Sequence, residues 1–303
     1  MKDVVAVLCA DIHLSHLPPK FRRAESNWYA AMARTLEQVR AVVEEFKVPL
    51  VCAGDIFDDG WRVHKCPPEL LNFAIKHLPT MYAVPGQHDL PNHRYQDIMR
   101  SGYWTLVEAK IVRDLHPSQP VAAESLVLYG FPWGAKLNPV FMNNDLATHV
   151  AVIHHYVWAG AHGFQGASND DHTSTIWEKI KEYDAAVFGD NHKGFTSNKI
   201  YNCGGLMVRK SDELAYRPAV GLLMRDGTTE RRFLDTSMDR YAHDDTKDAK
   251  GPVDTSGVKA FVGELNALAN KPMFDLKDAF DAYYRTHQVS DKARERITKG
   301  MAK

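Results

Sequence analysis

The chain has 303 residues, 45% of them hydrophobic, which is enough for one large buried core or for one core with a small appendage. Its 37 Lys and Arg residues against 38 Asp and Glu residues give a formal net charge of -1, which excludes a global basic field that would attract nucleic acid or membranes, so any polyanion must be bound locally. No run approaches the roughly 18 apolar residues of a membrane helix, and the four cysteines lie far apart without a CxxC pair, so we expect a cytoplasmic protein with reduced, buried thiols and no membrane contact.

The first part of the chain alternates apolar, strand-like runs with helical patterns. VVAVLCA is a continuous β-prone run, ESNWYAAMARTLEQVRAVVEEF has apolar residues at helical spacing, and VPLVCAG is a second apolar run. This β-α-β order predicts parallel strands. A helix predicted at PPELLNFAIKHL and a strand predicted at PTMYAVPG continue the pattern.

Further along, THVAVIHH and YDAAVFGD predict two more buried strands. Other stretches alternate in the manner of a second, largely antiparallel set of strands, namely AESLVLYGFPW, SNKIYNCGG, PAVGLLMRDG and TERRFLDT. Two packed sheets flanked by helices, which is an α/β sandwich, is the fold that these elements predict.

The last part of the chain differs from the rest. Residues 236–256 are polar, contain Gly-Pro and lack an apolar period, so they predict a linker. Residues 257–303 have apolar residues at three- and four-residue spacings, which predicts a small helical appendage. The expected organisation is a domain over residues 1–235, the linker, and a C-terminal segment that either caps the core or docks a partner.

Polar side chains that can bind a metal or move a proton follow each apolar strand. They lie in the sequences DIH, GDIFDD, VPGQHDL, IHH and GDNH. Loops at the carboxyl ends of strands in an open α/β sheet converge on one crevice, so these side chains are expected to meet. Carboxylate, amide and imidazole ligands without cysteine suit Mn, Fe, Zn or Mg. One such motif alone could simply cap a helix or satisfy a loop, whereas five in order indicate a site.

Taken in order, the five motifs resemble the calcineurin-like metallophosphoesterase superfamily, which implies a two-sheet α/β sandwich and a dinuclear metal centre. Two longer stretches make the resemblance more specific. The opening DIHLSHLPPKFRRAESNW and the later GGLMVRKSDELAYRPAVGLLMRDG resemble SbcD-type DNA exonucleases, the nuclease subunit of a bacterial and viral double-strand-break repair complex. This resemblance covers approximately residues 1–235.

The resemblance implies a role for each residue of the motifs. It implies two divalent ions, Mn in the first place, with Mg, Fe or Zn as alternatives. The implied ligands of the first ion are Asp11, His13, Asp55 and His192, and those of the second are Asp55 as a bridge, Gln87, His154 and Asp190. His88 would contact the substrate phosphate and protonate the leaving oxygen, and Asp89 would orient the His88 ring.

Two of these positions depart from the family pattern. The family has Asn where this chain has Gln87, and His where it has Asp190, and both residues would bind the second ion. The pair is either a compensated exchange within one coordination shell or a weakened site. A carboxylate in place of an imidazole would favour harder ions such as Mn or Mg.

Neighbouring residues are assigned simpler roles. Alternation along a strand points His154 and His155 to opposite faces, so His155 is predicted to be structural or to face the substrate. Asp58 and Asp59 are expected only to stabilise the turn after GDIF. Loop tryptophans such as Trp133 are expected to pack against the core, with stacking on bases as the alternative.

Three functions are compatible with the motifs. The first is a metal-dependent DNA nuclease, the exonuclease subunit of an SbcCD-like complex, with DNA as substrate, an SbcC-like coiled-coil ATPase as partner, and a homodimer as a further expectation. The second is a phosphodiesterase or phosphatase for nucleotides or other small phosphoesters. The third is a binding protein with a degenerate metal site. The SbcD-like stretches favour the first, the near-neutral charge argues mildly for the second, and the retained ligands argue against the third.

Overall fold

The computed structural model describes residues 3–117, 119–137, 146–160, 163–164 and 167–242, and these contain two sheets of six strands each. The strands of the first sheet are β1 (Val4–Cys9), β2 (Leu50–Cys52), β3 (Met81–Ala83), β4 (Val112–Asp114), β11 (Ala219–Met224) and β12 (Thr229–Phe233). The strands of the second sheet are β5 (Val121–Ala123), β6 (Leu126–Phe131), β7 (Thr148–His154), β8 (Ala185–Gly189), β9 (Phe195–Ser197) and β10 (Ile200–Asn202). The α-helices of the described residues are α1 (Trp28–Phe46), α2 (Pro68–His77), α3 (Gly102–Glu108) and α4 (Thr173–Ile180).

The first sheet has the strand order β12-β11-β1-β2-β3-β4. Strands β1 to β4 are parallel, whereas β11 pairs antiparallel with β1 and β12 pairs antiparallel with β11. Helix α1 connects β1 to β2, and helix α2 connects β2 to β3. The β-α-β pattern predicted for the first part of the chain is therefore confirmed.

The second sheet has the order β5-β6-β7-β8-β10-β9 and corrects one expectation. Strands β6, β7, β8 and β10 are parallel, and only the edge strands β5 and β9 pair antiparallel with their neighbours. The prediction of a largely antiparallel second set is therefore wrong for β6 and β10, and β11 and β12, although antiparallel, belong to the first sheet. Strands β6 and β10 are almost fully buried, because the first sheet covers one face of the second sheet and apolar residues of helix α4 and its neighbours cover the other. Burial on both faces is typical of parallel strands.

The apolar side chains form layers on both faces of each sheet. On β1, Val7 and Cys9 belong to the cluster formed with helices α1 to α3, whereas Leu8 belongs to the cluster between the two sheets. A third cluster, which includes Ile176 and Phe188, lies between the second sheet and α4. This layering buries all four cysteines without a disulfide, as expected. It leaves the loops at the carboxyl ends of the parallel strands free to form a site.

Helix α1 shows how local sequence fixes an element beside that site. It begins where the Asn27 side chain accepts a hydrogen bond of 3.0 Å from the Ala30 amide, which is a helix N-cap. It ends at Lys47, which adopts a left-handed conformation with a φ of 54° and donates its amide to the Val43 carbonyl. The apolar side of the helix, which includes Met32 and Leu36, packs against the first sheet.

The chain after β12 returns along the domain as far as the description extends. Asp239 Oδ2 lies 3.0 Å from Arg22 Nη1, and the Tyr241 ring stacks on Phe21 with ring centroids 5.3 Å apart. The rest of the predicted linker and the whole of 257–303 lie outside the described residues, so the predicted boundaries and the C-terminal appendage stay predictions. None of the helices in the described part of the chain has the length and apolar character needed to cross a membrane.

Candidate metal centre

The loops that follow the parallel strands of both sheets meet in one place, and several of their residues hold an unusual backbone conformation. The φ angles are 49° at Asp11, 49° at His13, 53° at Asp55 and 86° at Asp190. A positive φ is unfavourable for residues other than glycine, and such residues concentrate at functional sites. The strain at the ends of β1, β2 and β8 therefore indicates that these side chains are held in place for a purpose other than packing.

The first cluster of candidate ligands joins the loops after β1 and β8. The ligand atoms of Asp11, His13 and His192 all lie within 4.8 Å of one another. The Nε2 atoms of His13 and His192 face each other at 3.0 Å. His13 and Asp11 are buried, and His192 is partly exposed. Two imidazole nitrogens and a carboxylate converging on one point are suitable ligands for a divalent cation.

The second cluster shares residues with the first. The ligand atoms of Asp11, Asp55 and His154 also lie within 4.8 Å of one another. Asp55 Oδ2 lies 3.6 Å from His13 Nε2 and 3.5 Å from His154 Nε2, so this carboxylate stands between the two clusters. The same oxygen is buried and accepts no hydrogen bond from any described residue. A buried carboxylate oxygen with unused lone pairs is costly unless it binds a cation.

Hydrogen bonds fix the orientation of two of the histidines. His154 Nδ1 lies 2.6 Å from the Ala53 carbonyl oxygen, which can only accept, so Nδ1 carries the proton and Nε2 faces Asp55. His192 Nδ1 lies 2.8 Å from Glu213 Oε1 and donates to it in the same way. A ligand histidine that donates its second ring nitrogen to a carbonyl or carboxylate is the usual arrangement at metal sites. The residues present therefore fit a divalent metal.

The carboxylates of the site dominate its electrostatics. Burial raises the pKa of Asp11 to about 6. Burial alone would lower the pKa of His154, but the negative charge of Asp55 outweighs this effect and raises the pKa of His154 to about 10. Burial holds the pKa of His13 well below its ordinary value. Carboxylates that attract a proton to His154 would attract a metal cation to the same position.

Gln87 lies between the two residues with which the resemblance groups it. Its Oε1 is 2.7 Å from His154 Nε2, and its Nε2 donates a hydrogen bond of 2.8 Å to Asp190 Oδ1. The backbone amide of Asp190 in turn donates to both carboxylate oxygens of Asp11, at 3.0 and 3.1 Å. The structure thus brings the two unusual residues, Gln87 and Asp190, into direct contact beside His154.

His88 lies beside the metal ligands with a partly exposed ring. Its Nδ1 is 3.5 Å from Asp59 Oδ1 and 3.8 Å from Asp58 Oδ1, and its ring packs edge-on against His13 with centroids 5.1 Å apart. The ligand atoms of His13, Asp58 and His88 lie within 4.8 Å of one another. The carboxylates that face the His88 ring therefore come from the loop after β2.

Asp89 does not orient the His88 ring, so that prediction is wrong. The Asp89 side chain is fully buried and accepts hydrogen bonds from the backbone amides of Ile56, Phe57 and Gly86, at 3.2, 3.0 and 3.0 Å. It ties the loop after β2 to the loop after β3. The Asp55 carboxylate also lies so close to Gly86 that a side chain at Gly86 would collide with it. Asp89 and Gly86 therefore set the distance between the loops that carry Asp55 and His88.

Sequence reasoning missed three residues of the site. Glu213 is buried, and besides His192 it accepts hydrogen bonds from the backbone amides of Arg209 and Lys210, at 2.7 and 3.1 Å. Asp58 was expected only to stabilise a turn, but its Oδ2 pairs with Arg209 Nη2 at 2.8 Å. Arg209 and Glu213 lie in VRKSDE, which was noted only as part of a resemblance, whereas Asp58 lies in GDIFDD, one of the five motifs.

The neighbouring residues follow the simpler expectations. His154 is the buried last residue of β7, and His155, which follows the strand, is partly exposed and pairs through its Nε2 with Asp171 Oδ1 at 2.8 Å. Trp133 is partly buried against the core and contacts His93, with ring centroids 5.4 Å apart. The structure thus places these residues around the cluster rather than in it.

A family model and two solved structures are similar to this chain. The family model described as calcineurin-like phosphoesterase matches residues 5–194, which include all seven candidate ligands and His88. A search of curated proteins finds no match. Among solved structures, a candidate 5′-nucleotidase from Staphylococcus aureus in complex with alpha-ketoglutarate is 9% identical, with a TM-score of 0.44, over 80% of this chain and 56% of that one. The calcineurin-like phosphoesterase YfkN from Bacillus subtilis is 14% identical, with a TM-score of 0.35, over 65% of this chain and 75% of that one.

Proposed function

The chain belongs to the calcineurin-like phosphoesterase family, and on that premise we propose that it is a metal-dependent DNA nuclease of the SbcD type. It hydrolyses phosphodiester bonds as the exonuclease subunit of an SbcCD-like complex. Its ions are two divalent metals, Mn in the first place. Residues 257–303 dock the coiled-coil ATPase partner of that complex.

The observation that carries this proposal is that both SbcD-like stretches meet beside the candidate metal centre. The buried side chain of Arg22, from the opening stretch, donates a hydrogen bond of 3.1 Å to the Val208 carbonyl of the later stretch. The later stretch also supplies Glu213, which holds the His192 ring. The features that distinguish SbcD-type sequences from the rest of the family therefore surround the site, which supports a substrate of the same class.

Each half of the centre would hold one ion. The ligands of the first would be Asp11, His13, Asp55 and His192, and those of the second Asp55, Gln87, His154 and Asp190. Divalent ions bound there would supply an activated water and positive charge for the phosphate. The Asp190 carboxylate adds negative charge where the family has an imidazole, which favours Mn or Mg over softer ions.

The chain's own groups then position the substrate and move a proton. His88 is the partly exposed imidazole beside the ligands, so it donates the proton to the leaving oxygen and contacts the phosphate. Asp59 and Asp58 face its Nδ1 and keep the ring oriented, and Arg209 holds Asp58 in place through their ion pair. Asp89 acts indirectly. It accepts a hydrogen bond from the Gly86 amide and so fixes the loop that carries His88.

The proposal is tested by offering the purified full chain a linear duplex, a single-stranded oligonucleotide, a nucleotide monoester and a chromogenic phosphodiester. Each substrate is tested with Mn, with Mg and with chelator. We expect Mn-stimulated cleavage of DNA and none with chelator. Robust hydrolysis of the nucleotide monoester without DNA cleavage under any metal would overturn the proposal in favour of a small-substrate phosphatase.

The partner is tested separately. A chain truncated after Ser256 should cleave the chromogenic diester as the full chain does but should no longer form a complex with the ATPase, because residues 257–303 carry the docking surface. Retained complex formation would place the docking surface elsewhere.

A further inference from the structure

A cavity of about 490 Å³ is lined in part by Lys193 and Gly194, which directly follow the candidate ligand His192. Its walls come from the turn after His192, from the segment around Tyr216, and from the end of β12. The side chains that give it chemical character are Lys193, Asp212, Tyr216, Arg217, Arg231 and Phe233. A cavity of this size is within the range of pockets that bind small ligands such as one nucleotide.

The cavity is basic in a chain whose net charge is only -1. Three of its lining residues are Lys or Arg and one is Asp, which leaves a local surplus of two positive charges. Lys193 and Asp212 are 3.7 Å apart and both largely exposed, so their ion pair is weak. Neither Arg217 nor Arg231 forms a salt bridge with a carboxylate in the described part of the chain. The cavity therefore carries the local positive charge for anion binding that the chain as a whole lacks.

Two guanidinium groups contact one partly exposed aromatic ring in this cavity. The Arg217 guanidinium lies 4.3 Å and that of Arg231 5.1 Å from the centroid of Phe233, whose surface is 43% exposed. Arg231 is held by hydrogen bonds to the carbonyls of Gly194 and Arg217, at 3.3 and 3.2 Å. Exposed aromatic rings beside arginines are typical of surfaces that stack nucleobases and contact the sugar-phosphate backbone.

The cavity and the metal centre share their supporting segments. Lys193 directly follows His192, so their Cα atoms are about 3.8 Å apart. Glu213 holds the His192 ring and directly follows Asp212, and Tyr216 donates a hydrogen bond of 3.0 Å to the Cys203 carbonyl. A strand bound in the cavity would therefore lie next to the phosphate at the metal centre.

We propose that this cavity is a polynucleotide subsite, in which Arg217 and Lys193 bind a phosphate and Phe233 stacks a base of the strand adjacent to the scissile bond. The inference rests on the proposed nuclease function and names the substrate contact that selects a strand over a mononucleotide. A nucleic acid suits the cavity better than an acidic protein segment, because the exposed part of the Phe233 ring adds a stacking surface that a carboxylate-rich peptide would not use.

The test measures binding and cleavage separately. Binding of a fluorescent single-stranded oligonucleotide to the full chain is followed by anisotropy in chelator at several salt concentrations. Arg217→Gln should weaken binding and reduce the slope of log affinity against log salt by about 0.7, as expected for one lost phosphate contact. Phe233→Ala should weaken binding about tenfold and leave the slope unchanged, because it removes stacking without removing charge. Both variants should lower the ratio of oligonucleotide to chromogenic-diester cleavage.

Arg113→Gln is the matched control, because Arg113 is also an exposed arginine over an aromatic ring, 5.3 Å from the Tyr82 centroid. It borders a different cavity and should leave affinity and slope as in the wild type. Wild-type affinity and slope in both cavity variants would overturn the subsite, as would tighter binding of a polyglutamate peptide than of the oligonucleotide. A wild-type chain that binds the oligonucleotide with these dependences but cleaves no DNA would support the subsite and refute the nuclease function.

Discussion

The two halves of the candidate metal centre are built differently. In the first half, His192 is oriented from behind by Glu213, which is itself held by two backbone amides. In the second half, the Ala53 carbonyl supports His154 from outside, but the side chains of Gln87 and Asp190 form hydrogen bonds only with other candidate ligands in the described part of the chain. Asp55 stands between the halves and faces a histidine of each.

This difference indicates how each half responds to change. A ligand supported from outside the cluster keeps its position when a neighbouring ligand is replaced. Ligands that are held only by hydrogen bonds to other ligands lose their position, because replacing one ligand leaves the other without its partner. We therefore expect independent effects in the first half and coupled effects in the second.

The largest effect is expected from Asp55→Asn, which removes the carboxylate that the two halves share. Asparagine keeps an oxygen to accept the His88 amide but loses the charge of the oxygen that lies between His13 and His154. Metal content should fall in both halves, and DNA cleavage should fall to the level measured with chelator. Asp170→Asn, in an exposed loop, is the control for a lost carboxylate. Retention of one fully bound ion would show that Asp55 does not join the halves.

His88→Ala should leave metal binding in both halves unchanged and abolish most of the catalytic activity. Because His88 is assigned as acid and phosphate contact, the variant should keep its metal content while kcat falls by about 10²- to 10⁴-fold. His77→Ala, at the end of α2 that leads into the start of β3, should leave kcat unchanged. Metal loss in His88→Ala would mean that His88 is a ligand.

Glu213→Gln should weaken the first half alone. The substitution removes the anionic acceptor of His192 Nδ1–H, and loss of such a partner typically lowers metal affinity about 10- to 100-fold. Titration of the chain with Mn should show one weakened site and one unchanged site. Glu178→Gln, on the exposed side of α4, should change neither. Equal weakening of both sites would contradict the external support assigned to the first half.

Coupling in the second half is tested by the cycle of Gln87→Asn, Asp190→His and the double variant. Each single variant breaks the 2.8 Å hydrogen bond between the two side chains, whereas the double variant restores the family's usual pair. The coupling energy should be about 0.5 to 3 kcal/mol, with the double variant binding metal better than either single variant and preferring softer ions. Strictly additive losses would show that the two residues are not coupled.

The parts of this account that the sequence predicted are those that topology determines. Asp11, Asp55 and Asp190 follow parallel strands and His154 is the last residue of one, and the ends of such strands converge whatever the details of side-chain packing. The same reasoning predicted the α/β sandwich. It failed for the direction of β6 and β10, because short apolar strands that are buried on both faces carry no signal that separates parallel from antiparallel pairing.

The residues that support the site could not be predicted in the same way. Asp89 follows His88 in sequence, but the backbone turns its carboxylate towards three amides and away from the imidazole. The carboxylates that face His88 come from Asp58 and Asp59, about thirty positions earlier. Glu213 reaches His192 only because a tight turn brings its side chain back to the site. Such contacts depend on loop geometry, which a sequence pattern does not specify.

The central claim is that one carboxylate joins two metal sites in a phosphodiesterase centre. It is tested most directly by the amount of Mn bound per chain at equilibrium, measured by dialysis and elemental analysis in the presence of a non-hydrolysable phosphodiester. The account predicts two ions per wild-type chain and loss of both in Asp55→Asn. One ion or none in the wild-type chain would contradict it.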